Sequence, residues 1–481
     1  LIVEISAILL IAFGLAIVIG FGAFGTTSVH ERQQRAARVS FALAIALSLP
    51  LLLTALLPAP FRLTLLGATV LVTITGAILL LLPIGRVERG NDVPRSRIDE
   101  RDTMFARADL KPGSPNYKAY YTLHPEHETG DERTRELPGL LSPDASETNP
   151  LVFAATDATF DLIETLRGAV DGEPASPSVE CDAQAMSAYI KGLATYWGAH
   201  TVGIAELQPY HIYSHIGRGR DQYGAPVTLN HRHAIAFAVE MDHALVSTAP
   251  AAPTLLESAR QYANAAQIAI QLANLIRSQG YPARAHIDGN YRVIAPLVAR
   301  DAGLGEIGRM GLLMTPALGP RVRLGVVTTD LPLTSDPRTN DPSVLDFCRV
   351  CRKCADNCPV RAIPLGDREE IDGALRWRIN QDVCYRYWCI TGTDCARCMA
   401  LCPYSYPPSP LHNLVRRAVR RSGAARRAAI WLDRVFYGHT PASQPAPSWV
   451  PPRAVGDRRR NAPRYRASAA PKTDHEGSHA P

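Results

Sequence analysis

Three apolar runs, Ile5 to Phe24, Phe41 to Leu57 and Leu63 to Leu82, fill the first 84 residues, which carry only six formal charges: Glu4, Glu31, Arg32, Arg35, Arg38 and Arg62. A spanning helix needs ~20 apolar residues and ~17 at the least, so all three runs qualify, the second barely. A cleaved signal peptide would be one short run with a small-residue cleavage site, which three runs do not match. Soluble helices rarely stay uncharged over such lengths. Residues 1–84 are therefore expected to form three transmembrane helices.

Orientation follows from Arg and Lys in the short loops. Arg32, Arg35 and Arg38 follow the first run, and Arg86, Arg89, Arg95, Arg97 and Arg101 follow the third. Both basic flanks should face the cytoplasm, which puts the body after residue 85 on the inner face of the cytoplasmic membrane. The chain begins with Leu1 rather than Met, and a further span upstream would invert this topology.

Hydrophobic residues make up 46% and charged residues 20% of the 481, which excludes wholesale disorder. The net charge of +6 is local: the segment from His412 onward has 14 Lys and Arg against 4 Asp and Glu, so the rest sums to −4. A basic terminal segment does not mark a nucleic-acid-binding body, and no nucleic-acid partner is expected.

Residues 85–150, rich in Pro, Gly and charge, are expected to be a linker and irregular lead-in. Patterning becomes globular from Leu151. Thr201 to Leu207 and Arg321 to Thr329 are predicted as short strands. Between them, Thr254 and Glu257 suggest a capping box. Leu255, Ala259, Tyr262, Ala266, Ala269, Ala273 and Ile276 then recur with a helical period, and Gly280 and Pro282 end the run. Helices alternating with strands suggest an α/β layer structure for 151–340.

Nine of the ten cysteines fall between Cys348 and Cys402. Cys348, Cys351, Cys354 and Cys358-Pro359 read C-x2-C-x2-C-x3-C-P, the bacterial ferredoxin run for a [4Fe–4S] cluster. Zinc usually takes two separated C-x-x-C pairs, and disulfides do not need this spacing. A looser second run holds Cys395, Cys398 and Cys402-Pro403, preceded by Cys384 or Cys389. In two-cluster ferredoxins the fourth Cys of each run ligates the other cluster. One cluster then takes Cys348, Cys351, Cys354 and Cys402, and the other takes Cys358, Cys395, Cys398 and either Cys384 or Cys389. Residues 341–411 are thus a ferredoxin-like module with two [4Fe–4S] clusters, and Cys181 is expected to be a small core residue.

At these motifs the chain resembles the catalytic subunits of reductive dehalogenases. The residues that carry the resemblance are Gly280-Tyr281, Ala302-Gly-Leu-Gly-Glu-Ile-Gly-Arg309, Gly319-Pro-Arg-Val-Arg323, Thr329-Asp-Leu-Pro-Leu333, Cys384-Tyr-Arg-Tyr-Trp388 and Gly392-Thr-Asp-Cys395. The resemblance implies base-off cobalamin in a nitroreductase-like α/β core, fed with electrons by the ferredoxin-like module. It favours Cys384 over Cys389. It also implies Tyr262 as proton donor, Arg323 as its basic partner and Asn290 as a polar residue that fixes the site, with Arg309 a candidate cobalamin contact. The partners implied are an organohalide, the membrane and an electron donor such as a ferredoxin, a flavoprotein or a quinol. The chain departs from the common respiratory members in showing no twin-arginine signal near its start and in carrying its own spans.

Trp197, His200, Tyr210, His211, Tyr213 and Tyr223 form an aromatic, His-rich zone able to wall a pocket. Residues 412–438 read as a basic amphipathic closing helix, able to lie on an anionic leaflet, and 439–481 as a disordered tail. Two rival functions stand beside dehalogenation. One is an epoxyqueuosine-reductase-like cobalamin and iron–sulfur enzyme acting on tRNA; the other is a membrane-bound ferredoxin-type electron-transfer protein.

Overall fold

The computed structural model describes residues 2–82, 88–218, 222–338 and 341–452. The apolar runs form α1 (Ile2–His30), α2 (Gln34–Thr54) and α3 (Ala59–Leu81), each long and apolar enough to cross a membrane. The basic stretch expected as a loop from His30 to Ser40 is mostly helical, because α1 and α2 are separated only by residues 31–33. Small residues bring α1 and α2 close, as in other membrane helix pairs. A side chain on Gly25 would start 2.8 Å from the Phe41 ring. Ser40 donates its hydroxyl to the Phe21 carbonyl at 2.6 Å. Arg86, part of the expected second basic flank, lies outside the described residues.

The lead-in is more ordered than its composition suggests. It contains α4 (Met104–Ala108), α5 (Pro115–Leu123) and α6 (Pro125–Arg135). Tyr117, Tyr120 and Tyr121 on α5 build a small buried cluster with Leu110. The polar residues are anchored to the body rather than solvated: buried Glu100 accepts the Gly217 N–H at 2.8 Å, and Arg107 pairs with Asp131 and Asp382.

The body follows with α7 (Pro150–Leu166), α8 (Ala183–Tyr196), β1 (Thr201–Glu206), β2 (His233–Glu240), α9 (His243–Val246) and α10 (Ala252–Ser278). Next come β3 (Ala283–His286), α11 (Ala295–Asp301), the short pair β4 (Glu306–Ile307) and β5 (Leu313–Met314), and β6 (Val322–Thr329). The order in the main sheet is β1-β2-β6-β3, and every pairing is antiparallel. Layers of helix on sheet are present as expected from the alternating pattern, but the strands do not run parallel.

Alternation along β2 divides the core. Ile235, Phe237 and Val239 face the buried stripe of α10, with Ala266, Ala269 and Ala273. Ala234, Ala236 and Ala238 face the other way, toward Val298 and Ala299 of α11. Phe237 lies opposite Gly325, where a Cβ would start 2.3 Å from its ring. The start of α10 differs from expectation. The helix begins at Ala252 with no side-chain cap, since Pro253 in the first turn has no N–H to satisfy. Thr254 instead donates to the Leu245 carbonyl, and Glu257 accepts the Asp242 N–H at 2.7 Å.

The cysteine module comprises α12 (Ser343–Cys351), α13 (Lys353–Asp356), the ribbon β7 (Glu369–Ile371) and β8 (Ala374–Arg376), α14 (Gln381–Thr391) and α15 (Arg397–Ala400). Residues 412–438 are two helices rather than one. Helix α16 (Pro410–Arg421) stops at Ser422, which is extended and caps α17 (Gly423–Tyr437). Their arginines are not all displayed on a surface: Arg416 and Arg426 are buried, Arg416 on the Tyr404 and Tyr406 carbonyls and Arg426 on Asp346 at 2.6 Å. Part of the expected disordered tail is also packed. Ser443 donates to the Ala249 carbonyl at 2.6 Å, Gln444 N–H to the Ser247 carbonyl at 2.9 Å, and Val450 is buried. Residues 453–481 lie outside the described residues.

Candidate active site

A cavity of about 730 Å³ lies between the sheet core and the cysteine module. One wall comes from α10 and β6, the other from Leu312, Gln381, Trp388 and Asp394. Tyr262 on α10 and Arg323 on β6 both line it, with the Arg323 guanidinium carbon 4.9 Å from the Tyr262 ring centroid. Residues 61 positions apart meet because α10 packs across β6.

Arg323 is held from behind. Its Nη2 donates to Ser258 Oγ at 2.7 Å and to Asp394 Oδ2 at 2.8 Å, and Ser258 donates to the same carboxylate at 2.5 Å. Burial pushes the Tyr262 phenol above its ordinary value, and Arg323 pulls it part of the way back. Burial opposes the charge on Arg323, but Tyr262, Asp394 and Asp288 outweigh it and hold the guanidinium charged. Arg323 Nε and Asp394 Oδ1 are buried and have no hydrogen-bond partner among the described residues.

Asn290 is not brought to this cavity: its side-chain oxygen accepts from Arg284 at 2.8 Å, while Asp288 and Tyr291 line the wall. Arg309 is fully buried elsewhere. Its donors go to the carbonyls of Cys348, Pro364 and Gly366, and its charge sits 4.8 Å from the Trp377 ring centroid. It staples the cysteine loop and has little left to offer a cofactor. Of the aromatic zone, Tyr213 lines the cavity; Tyr210 and His211 instead share the Asp301 carboxylate, each at 2.8 Å.

Arg218 and Tyr291 are in no motif of the sequence, whereas Trp388 closes the Cys384-Tyr-Arg-Tyr-Trp388 stretch without a role of its own. Arg218 reaches Glu100 at 3.3 Å and Asp288 at 3.9 Å, so a cation and two acids border the cavity. Trp388 stands four residues after Cys384, on one face of a helix. Burial raises the Cys384 thiol and the neighbouring Trp388 side chain lowers it part of the way, so the cavity wall adjoins the cysteine module.

The cysteines are free and fall into two neighbourhoods. Cys402 lies within electrostatic reach of Cys348, Cys351 and Cys354. Cys398 lies within reach of Cys395, Cys384 and Cys358, and also of Cys354, so the two sets are side by side. Cys389 interacts with Tyr385 and Arg386 instead. Burial raises the Cys351, Cys384 and Cys395 thiols to about 12, so iron would have to supply the positive charge that makes them thiolates. Among the described residues no three His, Cys, Asp or Glu side chains converge closely enough to share a single metal ion. Thiolates on a cubane bind different irons, so they need not converge on a point.

Residues 347–406 match the 4Fe–4S dicluster domain family. Tetrachloroethene reductive dehalogenase of Desulfitobacterium hafniense is 32% identical over 215 residues, which are 42% of this chain and 38% of that one. The enzyme of the same name from Sulfurospirillum multivorans is 34% identical over 180 residues, 36% of this chain and 35% of its own. The solved structure of the catabolic reductive dehalogenase NpRdhA, in its K488Q variant, is 25% identical with a TM-score of 0.60 and covers 75% of this chain and 50% of that one. The chain thus spans half or less of the length of each of these three relatives. The dicluster module and the sheet core beside it define an iron–sulfur protein with a cofactor-sized cavity between the two. Over these regions the chain is similar to reductive dehalogenases.

Proposed function

We propose that this chain is a membrane-anchored reductive dehalogenase. It would replace carbon–halogen by carbon–hydrogen, R–X + 2 e⁻ + H⁺ → R–H + X⁻. The observation that carries the reading is the paired Tyr262 and Arg323 on one wall of a cavity whose other wall belongs to the cysteine module.

Cys348, Cys351, Cys354 and Cys402 would hold one [4Fe–4S] cluster, and Cys358, Cys384, Cys395 and Cys398 the other. The second set adjoins the cavity through Trp388 and so is the outlet of the electron path. The cavity fits a cofactor: it is in the upper part of the small-molecule range, combines apolar with charged side chains, and leaves Arg323 Nε and Asp394 Oδ1 to be satisfied. Leu255, Leu312, Val322, Leu324 and Trp388 would hold cobalamin, in the base-off form the resemblance implies. When bound, cobalamin supplies a low-valent cobalt able to take electrons from the clusters and attack the carbon–halogen bond.

The chain's own residues supply the proton and the environment. Tyr262 donates its phenolic proton to the carbon that loses halide. Arg323 stabilises the phenolate, and Ser258 and Asp394 fix Arg323 so that no side-chain reorganisation accompanies the transfer. Asn290, which hydrogen-bonds Arg284 on the neighbouring strand, would help hold the segment that carries Asp288. An electron carrier without a substrate would leave the Tyr262–Arg323 wall without a use.

The N-terminal end of α2 and the C-terminal end of α3 both meet the α16–α17 hairpin: Arg35 donates to the Val435 carbonyl, and Ser422 to that of Leu79. Both ends thus lie on the body's side of the spans, and the Arg-rich flanks are what support placing the body at the cytoplasmic face of the inner membrane. The test is anaerobic purification, extraction of cobalamin, and halide release from a panel of aryl and alkyl halides with reduced methyl viologen. Stoichiometric cobalamin and halide are expected; protein that holds both clusters but no cobalamin and releases no halide is an electron carrier instead.

A further inference from the structure

A second cavity, of about 620 Å³, lies where the membrane helices meet the body. Its membrane side is built by Phe13, Ala16, Ile17 and Gly20 of α1 and by Thr69 and Thr73 of α3. Its body side is built by Phe347, Tyr404, His412 and Arg416, with Phe436 and Tyr437 at its edge. One end therefore opens between two lipid-facing helices, and the other ends on polar groups.

Two features tie the polar end to the cysteine module. Phe347 and Tyr404 stand edge to face with ring centroids 4.9 Å apart, and both belong to the buried cluster that contains Cys348 and Cys402. Phe347 and Tyr404 thus line the cavity and pack in the same cluster as these two cysteines. The Tyr404 hydroxyl and Arg416 Nε are buried and have no hydrogen-bond partner among the described residues, so two donors at this end await an acceptor.

We propose that this cavity binds an isoprenoid quinol, whose head group meets Tyr404 and Arg416 and whose tail leaves between α1 and α3, and that the quinol reduces the cluster of Cys348, Cys351, Cys354 and Cys402. An aromatic head with two oxygens satisfies the orphaned donors, and an apolar tail matches the opening. The inference rests on the reading of those cysteines as cluster ligands. The balance is QH2 + R–X → Q + R–H + X⁻ + H⁺: each of two electrons passes singly through the clusters, the quinol loses two protons, and one proton is consumed at carbon. His412 lines the cavity, and its Nδ1 lies 3.0 Å from the Pro407 carbonyl and 3.5 Å from Glu31 at the α1–α2 turn, so a carboxylate stands near this end to take up a proton. Burial raises the Glu31 carboxyl to about 7 against the pull of Arg416, so it can both accept and release a proton near neutrality.

The test runs the transfer from the cluster to the quinone, so that it does not depend on how strongly reducing the quinol is. Full-length protein in lipid nanodiscs is reduced with dithionite, freed of reductant and mixed anaerobically with a short-tailed naphthoquinone, and re-oxidation is followed in the iron–sulfur absorbance. Gly20→Phe plugs the cavity from α1, where an added Cβ meets nothing within 4 Å; Ala16→Phe does so independently. Wild-type rates should saturate with quinone, and both variants should be about tenfold slower or more. Ferricyanide should oxidise all three proteins equally. Equal quinone rates in wild type and variants, or rates that rise without saturation, would overturn the proposal and leave the cavity to membrane lipid. Halide release with reduced methyl viologen is measured in parallel: its absence from all three proteins counts against dehalogenation and leaves the quinone result readable.

Discussion

The Arg323 guanidinium faces the Tyr262 ring at 4.9 Å while one of its nitrogens is shared between Ser258 and Asp394. A lysine has a point charge and no fork, so it cannot face the ring and serve both partners at once. Arg323→Lys and Arg323→Gln are both expected to lower kcat by roughly 10²-fold or more. Arg323 is what pulls the buried phenol down toward its ordinary value. A proton donor fails only when pH rises through its pKa, so the alkaline limb of the wild-type rate should lie above about pH 10. In Arg323→Gln that limb should move further up as the rate falls. A limb that moves down would separate Arg323 from the acid.

Cys384 and Cys389 are one helical turn and a residue apart on α14, yet only Cys384 faces the set of Cys358, Cys395 and Cys398. Wild-type protein should hold about eight iron per chain. Cys384→Ser should lose roughly half of it, and Cys389→Ser none. Iron analysis together with the low-temperature EPR of the reduced protein decides this; loss of a cluster in Cys389→Ser alone reverses the assignment.

Gly203 is a packing requirement in β1. A Cβ there would start 2.1 Å from the Ala302 carbonyl oxygen, which is backbone and cannot rotate away. Gly203→Ala should destabilise the core by about 1–3 kcal/mol, seen as a lower denaturant midpoint with an unchanged slope. An unshifted midpoint would mean that α11 is free to move off the sheet.

What was legible in the sequence came from local spacing. The spans, the stripe of α10 and the C-x2-C-x2-C-x3-C run each depend on residues a few positions apart, and the exchange of fourth ligands follows from that run. The antiparallel order of the sheet depends on which strands meet, which no local pattern records. The lead-in was misjudged because its polar residues satisfy partners in the body, as Glu100 does at Gly217, instead of solvent. Arg309 suggested a cofactor contact only because its carbonyl partners lie up to 57 residues further on. Asp394 stood in view beside Cys395, but its pairing with Arg323 spans 71 residues.

The most direct test of the account is Tyr262→Phe, which keeps the ring under Arg323 and removes the transferable proton. Cobalamin content and both clusters should match wild type, while halide release under reduced methyl viologen falls by ~10²–10⁴. Halide release at the wild-type rate, with cofactors intact, would show that Tyr262 is a packing residue and that the acid is another group on the cavity wall.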